Sequence, residues 1–262
     1  MDKGKTIYIK NMDQLKQVFG DLVEKNCIYR GINNCSQKLP KIIRDDDFSS
    51  VELDILKSFE SYYGLYSSAN NCWEFISLAQ HCGLMTRLID FTYNPYVALF
   101  FALHSEKKQG EKYIVYSIKK ELTEIVYGYQ QNLFEYEEST GVLKIYDDFS
   151  NRHDANVTFT EDLRASFEYL KESKMIQIAE PNYRNQRILM QQGLFVVPSD
   201  LKKETIEDIF EMADIYVINE KIRDNALAFL EKMGFNEFKL MPDLDSACNE
   251  INHKFQILEK KA

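Results

Sequence analysis

An α+β fold is predicted by the way β-prone runs and helix-like stretches follow one another without regular alternation. No internal repeat sets a period, which argues against a solenoid or propeller. The 262 residues are 45% hydrophobic and 13% aromatic, enough to enclose a core within one domain, residues 1–262, carrying elaborations.

Thr6 to Lys10 is a short β-prone run, and Asn11 or Asp13 is placed to cap a helix bearing Leu15, Val18, Phe19 and Leu22. Cys27 to Arg30 reads as a second strand stopped by Gly31. A helix is expected from Ser49-Ser50, with Glu52 in capping-box position and Leu53, Leu56, Phe59 and Tyr63 as its apolar stripe, ending near Gly64. From Cys72 to Cys82 another helix puts Glu74, Ser77 and His81 on one face, and Gly83 stops it.

Leu84 to Thr92 alternates as a strand, with Thr86, Leu88, Asp90 and Thr92 on one side. Asn94-Pro95 marks a helix start, and the helix Tyr96 to Leu103 is apolar all round and so expected to be buried. Tyr113 to Ile118 is a strand after a turn at Gly110. Residues 121–172 read as an insertion, acidic around Glu135 to Glu138, with one amphipathic helix carrying Leu163, Phe167 and Leu170. Met175 to Ile178 and Gly193 to Val197 read as strands around an unassigned stretch, Asn182 to Gln192. Ile206 to Met212, Ile215 to Ile218, Arg223 to Met233 and Leu244 to Phe255 follow as helix, strand, helix and helix.

A formal net charge of -9 does not favour nucleic acid or an anionic membrane as partner. Five scattered cysteines suggest reduced thiols, and no apolar leader or run long enough to span a bilayer is visible, so a soluble cytoplasmic protein is expected. The histidines His81, His104, His153 and His253 lack metal-ligand spacing, so no metal is expected. Neither a Ser-His-Asp set nor a phosphate-binding glycine loop is present.

The run Leu78 to Ala102 is the most informative, because Gln80, His81, Thr86, Arg87, Asp90 and Thr92 stand among core-like residues, where unpartnered polar groups cost a few kcal/mol each. Thr86, Asp90 and Thr92 lead into the Asn94 helix start, where free amides favour an anion such as a phosphate. Side-chain caps for that helix are the alternative. Arg30 offers a planar fork suited to phosphate, or a partner for a buried acid such as Asp90; Arg87 and Asp90 are a second possible structural pair. His81 reads as a proton carrier or as a hydrogen-bonded structural histidine, and Gln80 as structural.

Tyr29-Arg30-Gly31, Leu39-Pro40, the central run, Arg187 to Phe195 and Met241 to Asp245 together resemble the FRG domain family, over Ile28 to Ile251. That family reads Ala-Gln-His, an aromatic, Gly, then Thr-Arg-Leu-Leu-Asp-Trp-Thr and Asn-Pro; here Cys82, Ile89 and Phe91 replace the aromatic, the second Leu and the Trp. A weaker resemblance is to ADP-ribosyltransferases of the Arg-Ser-Glu type: an aromatic-Arg-Gly strand, then Asp90-Phe91-Thr92 before Ala98 and Phe101-Ala102, then Gln191-Gln192. It implies a split mixed sheet flanked by helices and an NAD site. Arg30, Asp90, Gln191 and Gln192 would be its catalytic positions, with Tyr29, Gly31, His81, Thr86, Arg87, Thr92 and Asn94 around the nucleotide.

Glutamine stands where that type carries its glutamate. A glutamine can position a ribose hydroxyl but brings no negative charge, so Asp90 or Glu180 would have to stabilise an oxocarbenium-like centre. The implied activity is transfer of ADP-ribose to a macromolecular acceptor or to water, in a toxin or phage-defence effector. The rival reading is a non-catalytic module that senses a ligand or binds a regulatory partner protein.

Overall fold

The computed structural model describes residues 3–44, 46–63, 71–104, 112–127, 134–137, 142–145, 158–171, 175–180 and 186–242. Its elements run β1 (Thr6–Ile9), α1 (Met12–Val23), β2 (Cys27–Ile32), α2 (Lys41–Arg44), α3 (Glu52–Tyr63), α4 (Cys72–His81), β3 (Ile89–Thr92), α5 (Pro95–Leu103), β4 (Tyr113–Lys119) and β5 (Thr123–Tyr127). There follow β6 (Phe134–Glu137), β7 (Val142–Ile145), α6 (Phe159–Leu170), β8 (Ile176–Ala179), α7 (Gln186–Gln191), β9 (Gly193–Val197), α8 (Lys203–Glu211), β10 (Asp214–Ile218), α9 (Arg223–Lys232) and α10 (Glu237–Leu240). No helix among these residues is long and apolar enough to cross a membrane.

One mixed, eight-stranded sheet has the order β1-β10-β4-β2-β3-β9-β8-β5 and is flanked by helices, as an α+β fold requires. Its two four-stranded halves are joined by a narrow seam: β2 and β3 share a single register pair, Tyr29 with Thr92, whereas β2 and β4 pair over six positions. Beyond Tyr29 and Thr92 the two strands separate. Of the stretch 121–172, β5 completes the sheet beside β8 and α6 packs on α3 and α4, while β6 and β7 pair only with each other.

Alternation along the strands sorts the core into three clusters. Tyr29, Tyr113, Val115, Tyr216 and Ile218 meet α1, α5 and α9 on one face. On the opposite face Ile28, Ile32, Phe91, Tyr116, Leu194 and Val196 meet α2 and α8. The third cluster joins Leu88, Phe195 and Val197 to α3, α4 and α6. Helix α5 is buried nearly all round, as its composition requires, and Asn94 caps it by accepting from the Tyr96 amide at 2.9 Å.

Several sequence expectations need correction. Gly31 does not stop β2, which continues to Ile32. Helix α5 crosses so close to β2 that a Cβ at position 31 would overlap the Ala98 carbonyl, so the glycine serves backbone contact and not a turn. The strand expected over Leu84 to Thr92 shortens to Ile89–Thr92. Glu52 forms no capping box: α3 begins at Glu52 after a 3-10 turn, and the carboxylate is instead drawn inward to Arg87. The Gly64 and Gly110 turns, the helix Leu244 to Phe255, and most of Asn182 to Gln186 lie outside the described residues.

Arg87 is only 9% exposed and Glu52 2%. The guanidinium binds both carboxylate oxygens, with Nη2 at 2.6 Å and Nε at 2.9 and 3.1 Å, and lies 3.5 Å over the Phe167 ring. The Arg87 amide also donates to Glu52, at 3.0 Å. This pair therefore locks α3, α6 and the approach to β3 together, which makes Arg87 a core residue where the sequence reading sets it around a nucleotide.

Two stability predictions follow from these contacts. Arg87→Met should lower unfolding free energy by about 3 kcal/mol in urea denaturation by stranding the Glu52 carboxylate, and adding Glu52→Gln should recover much of the loss. Gly31→Ala should cost roughly 2 kcal/mol, because the α5 backbone must retreat from β2; an unchanged urea midpoint would contradict that close approach.

Candidate functional site

Where β2 and β3 separate, a cavity of about 370 Å³ opens, and all three apolar clusters reach its wall: Val97 and Ala98 from the first, Phe91 and Leu194 from the second, Leu88 and Phe195 from the third. A seam in a sheet exposes main-chain groups that would otherwise pair, so polar side chains must serve them.

Arg30 serves that need. Its residue is 8% exposed, and its guanidinium donates to the Asp90 carbonyl across the seam and to the Gln37 carbonyl at 2.6 Å. The Asp90 carboxylate stands 3.9 Å from Nη1, while Nε is buried without a hydrogen-bond partner. Burial lowers the guanidinium from its ordinary value to about 10; Asp90 opposes that shift and neighbouring Arg44 adds to it. Arg30 still carries its charge at neutral pH.

Asp90 lines the cavity, and its side chain is 70% exposed. Gln80 Nε2 donates to Asp90 Oδ1 at 2.8 Å, and the Thr86 hydroxyl donates to the Gln80 carbonyl oxygen. Thr86 itself is fully buried and does not line the cavity, so its hydroxyl orients Gln80. Gln80, read as structural, proves to be a cavity residue that holds Asp90.

Thr92 donates to the Gln191 carbonyl at 2.6 Å and accepts from the Asn94 amide at 3.0 Å. It lines the cavity; Asn94 does not, and the capping alternative describes Asn94. The Gln191 side-chain amide donates to the Leu240 carbonyl at 2.7 Å, which ties α7 to α10. Gln192 closes α7 in the left-handed region at φ 47°, donating its amide to Leu189 and offering its carbonyl to the Tyr93 amide. Gln191 is on the cavity wall and Gln192 is not. Glu180 accepts from the Tyr93 hydroxyl and lies off the wall, so Asp90 is the one carboxylate lining the cavity among the described residues.

Tyr29 and Gly31 form part of the floor, the tyrosine hydroxyl being spent on the Leu22 carbonyl at 2.6 Å. His81 and Ser77 line the α4 side together, as their shared helix face implies. Arg30, Asp90, Gln191, Tyr29, Gly31, His81 and Thr92 are thus brought together, while Thr86, Arg87, Asn94 and Gln192 stand behind the wall.

Sequence reading missed Gln37, Lys41, Arg44 and Arg187 on the same wall. The signal at Lys41 and Arg44 was their spacing of three around the buried Ile42-Ile43, which places both cations on the outer face of one turn. With Arg30 and Arg187 they put four cationic side chains and one carboxylate on the wall among the described residues, in a chain whose net charge is -9. The cavity is a local reversal of the molecule's charge.

Burial, and then the Arg187 guanidinium, lower the His81 imidazole below its ordinary 6.5, favouring the neutral ring. The unfolded chain therefore protonates first, and the contribution of this residue to stability falls as pH drops through 6.5 toward the folded value. In an NMR titration His81 should show a midpoint below 6.5 that moves upward in Arg187→Gln; a midpoint at or above 6.5 in the parent protein would sink this account.

No curated protein and no solved structure matches the chain. A family model matches residues 25–111, so the segments Arg187 to Phe195 and 241–245, read above as further points of resemblance, fall outside it, and residues 243–245 lie outside the described residues. That match covers β2, α2, α3, α4, β3 and α5, and with them most of the cavity wall: residues 25–111 are similar to the FRG domain.

Proposed function

We propose that the cavity binds a nucleotide, NAD or a close relative, and that the protein acts in the manner of an ADP-ribosyltransferase. The observation that carries the reading is Arg30, a buried cation at the seam of the sheet that lines the cavity beside further cations and apolar walls. Phosphate oxygens suit the guanidinium, and the Val97, Phe101 and Leu194 surfaces suit a planar base.

In the chemical step the glycosidic bond between nicotinamide and ribose C1′ breaks, and the bond electrons leave with the neutral nicotinamide. A nucleophile on a macromolecular acceptor, or water, adds to C1′ and gives up a proton. The positive charge that develops on the ribose needs a nearby anion. Asp90, held by Gln80, is the carboxylate on the wall that can provide it. A cytoplasmic toxin or phage-defence effector is the biological setting that family context suggests, by analogy alone.

One observation favours a second reading. Gln191 spends its amide on the Leu240 carbonyl, so the position where transferases of this type place a glutamate holds two elements together. A ligand-sensing module, in which an occupied cavity alters the α7–α10 contact for a partner protein, uses the same residues without bond cleavage.

Labelled NAD incubated with the protein and cell lysate should yield label transfer or free nicotinamide, with at least a hundredfold loss in Arg30→Ala and in Asp90→Ala. A thermal shift with NAD that Arg30→Ala abolishes, but no product, would select the sensing module. Neither product nor thermal shift would refute both.

A further inference from the structure

Arg30 and Arg44 both line the cavity, and among the described residues Asp90, 3.9 Å from Arg30, is the one carboxylate on its wall to oppose them. Arg44 uses Nε and Nη2 on the Leu39 carbonyl, at 3.2 and 3.0 Å, and Lys41 uses one ammonium proton on the Gly83 carbonyl. These are main-chain acceptors, which orient the cations without neutralising them. The buried Arg30 Nε has no acceptor at all. Like charges gathered in a partly dry site are unfavourable until an anion enters.

A phosphodiester brings one charge and two free oxygens. A phosphomonoester brings about 1.5 to 2 charges and three acceptor oxygens on one centre, which two guanidinium forks and an ammonium can divide among them. We infer that Arg30, Arg44 and Lys41 form a phosphomonoester pocket, so that the cavity prefers a nucleotide carrying such a dianionic phosphate to one whose phosphates are all in diester or diphosphate linkage. The inference rests on the nucleotide reading for its ligand class, and on the cation cluster for its specificity.

Calorimetric titration of the full chain with NADP, NAD, AMP, adenosine and inorganic phosphate tests it. NADP should bind at least tenfold more tightly than NAD, and AMP should bind where adenosine does not. In Arg44→Gln the NADP-to-NAD ratio should fall to within twofold of unity, with Arg44→Lys intermediate. Circular dichroism checks that the fold persists; Lys41→Gln, at an exposed position, repeats the comparison if Arg44→Gln unfolds. Equal affinity for NADP and NAD in the parent protein overturns the inference, as does a ratio that survives both substitutions. Phosphate and AMP binding that needs Arg44, without binding of either dinucleotide, upholds the pocket and refutes the NAD reading. Absence of binding by all five overturns both.

Discussion

Two halves of a sheet meet here through one residue pair, and a guanidinium carries the connection further than the main chain does. Past Tyr29 and Thr92 the strands β2 and β3 no longer bond each other; Arg30 reaches from the first to the Asp90 carbonyl on the second and to the Gln37 carbonyl beside it. A main-chain ladder would have closed the gap and left no room for a ligand. A long side chain spans it, keeps the strands apart and lines the space with charge. The cavity and the continuity of the sheet thus depend on the same contact.

That arrangement has a cost, which the surrounding structure offsets. A buried cation is tolerable only with acceptors around it, and Arg30 finds two carbonyls and a carboxylate. Gly31 lets α5 lie directly against β2, so the seam is backed by a helix that is apolar on nearly every side. On the far half the Arg87–Glu52 pair holds α3 and α6 against the run that leads into β3. Two arginines within residues 25–111 therefore have opposite fates. Arg87 is neutralised by a bidentate carboxylate behind the wall, while Arg30 is only partly compensated and faces the space.

The position of polar groups behind the wall is what holds those in front. Thr86 orients Gln80, and Gln80 orients Asp90; Thr92 carries the Asn94 amide on one side and the Gln191 carbonyl on the other. Gln191 then extends the chain of contacts to Leu240, so the cavity is mechanically continuous with α7 and α10. Each of these bonds satisfies a group that burial would otherwise penalise, which explains why so many polar residues are packed into one short run.

Local signals in the chain were enough for much of this. The helices α1, α4 and α5, with the Asn11 and Asn94 caps, follow from apolar spacing and cap chemistry, and the strands β4 and β9 follow from β-branched and aromatic runs. The central polar run also marked the site by itself, because unpaired polar groups in core-like sequence demand partners. What the sequence could not assign was which partner each found. Glu52 and Arg87 lie 35 positions apart, Arg30 and Asp90 lie 60 apart, and Thr92 and Gln191 lie 99 apart. Spacing of three or four reports only on one helix face, and alternation only on one strand. Pairing across the seam, and the gathering of Lys41, Arg44 and Arg187 beside Arg30, depend on how sheet and helices close around each other, so only the tertiary structure decided them.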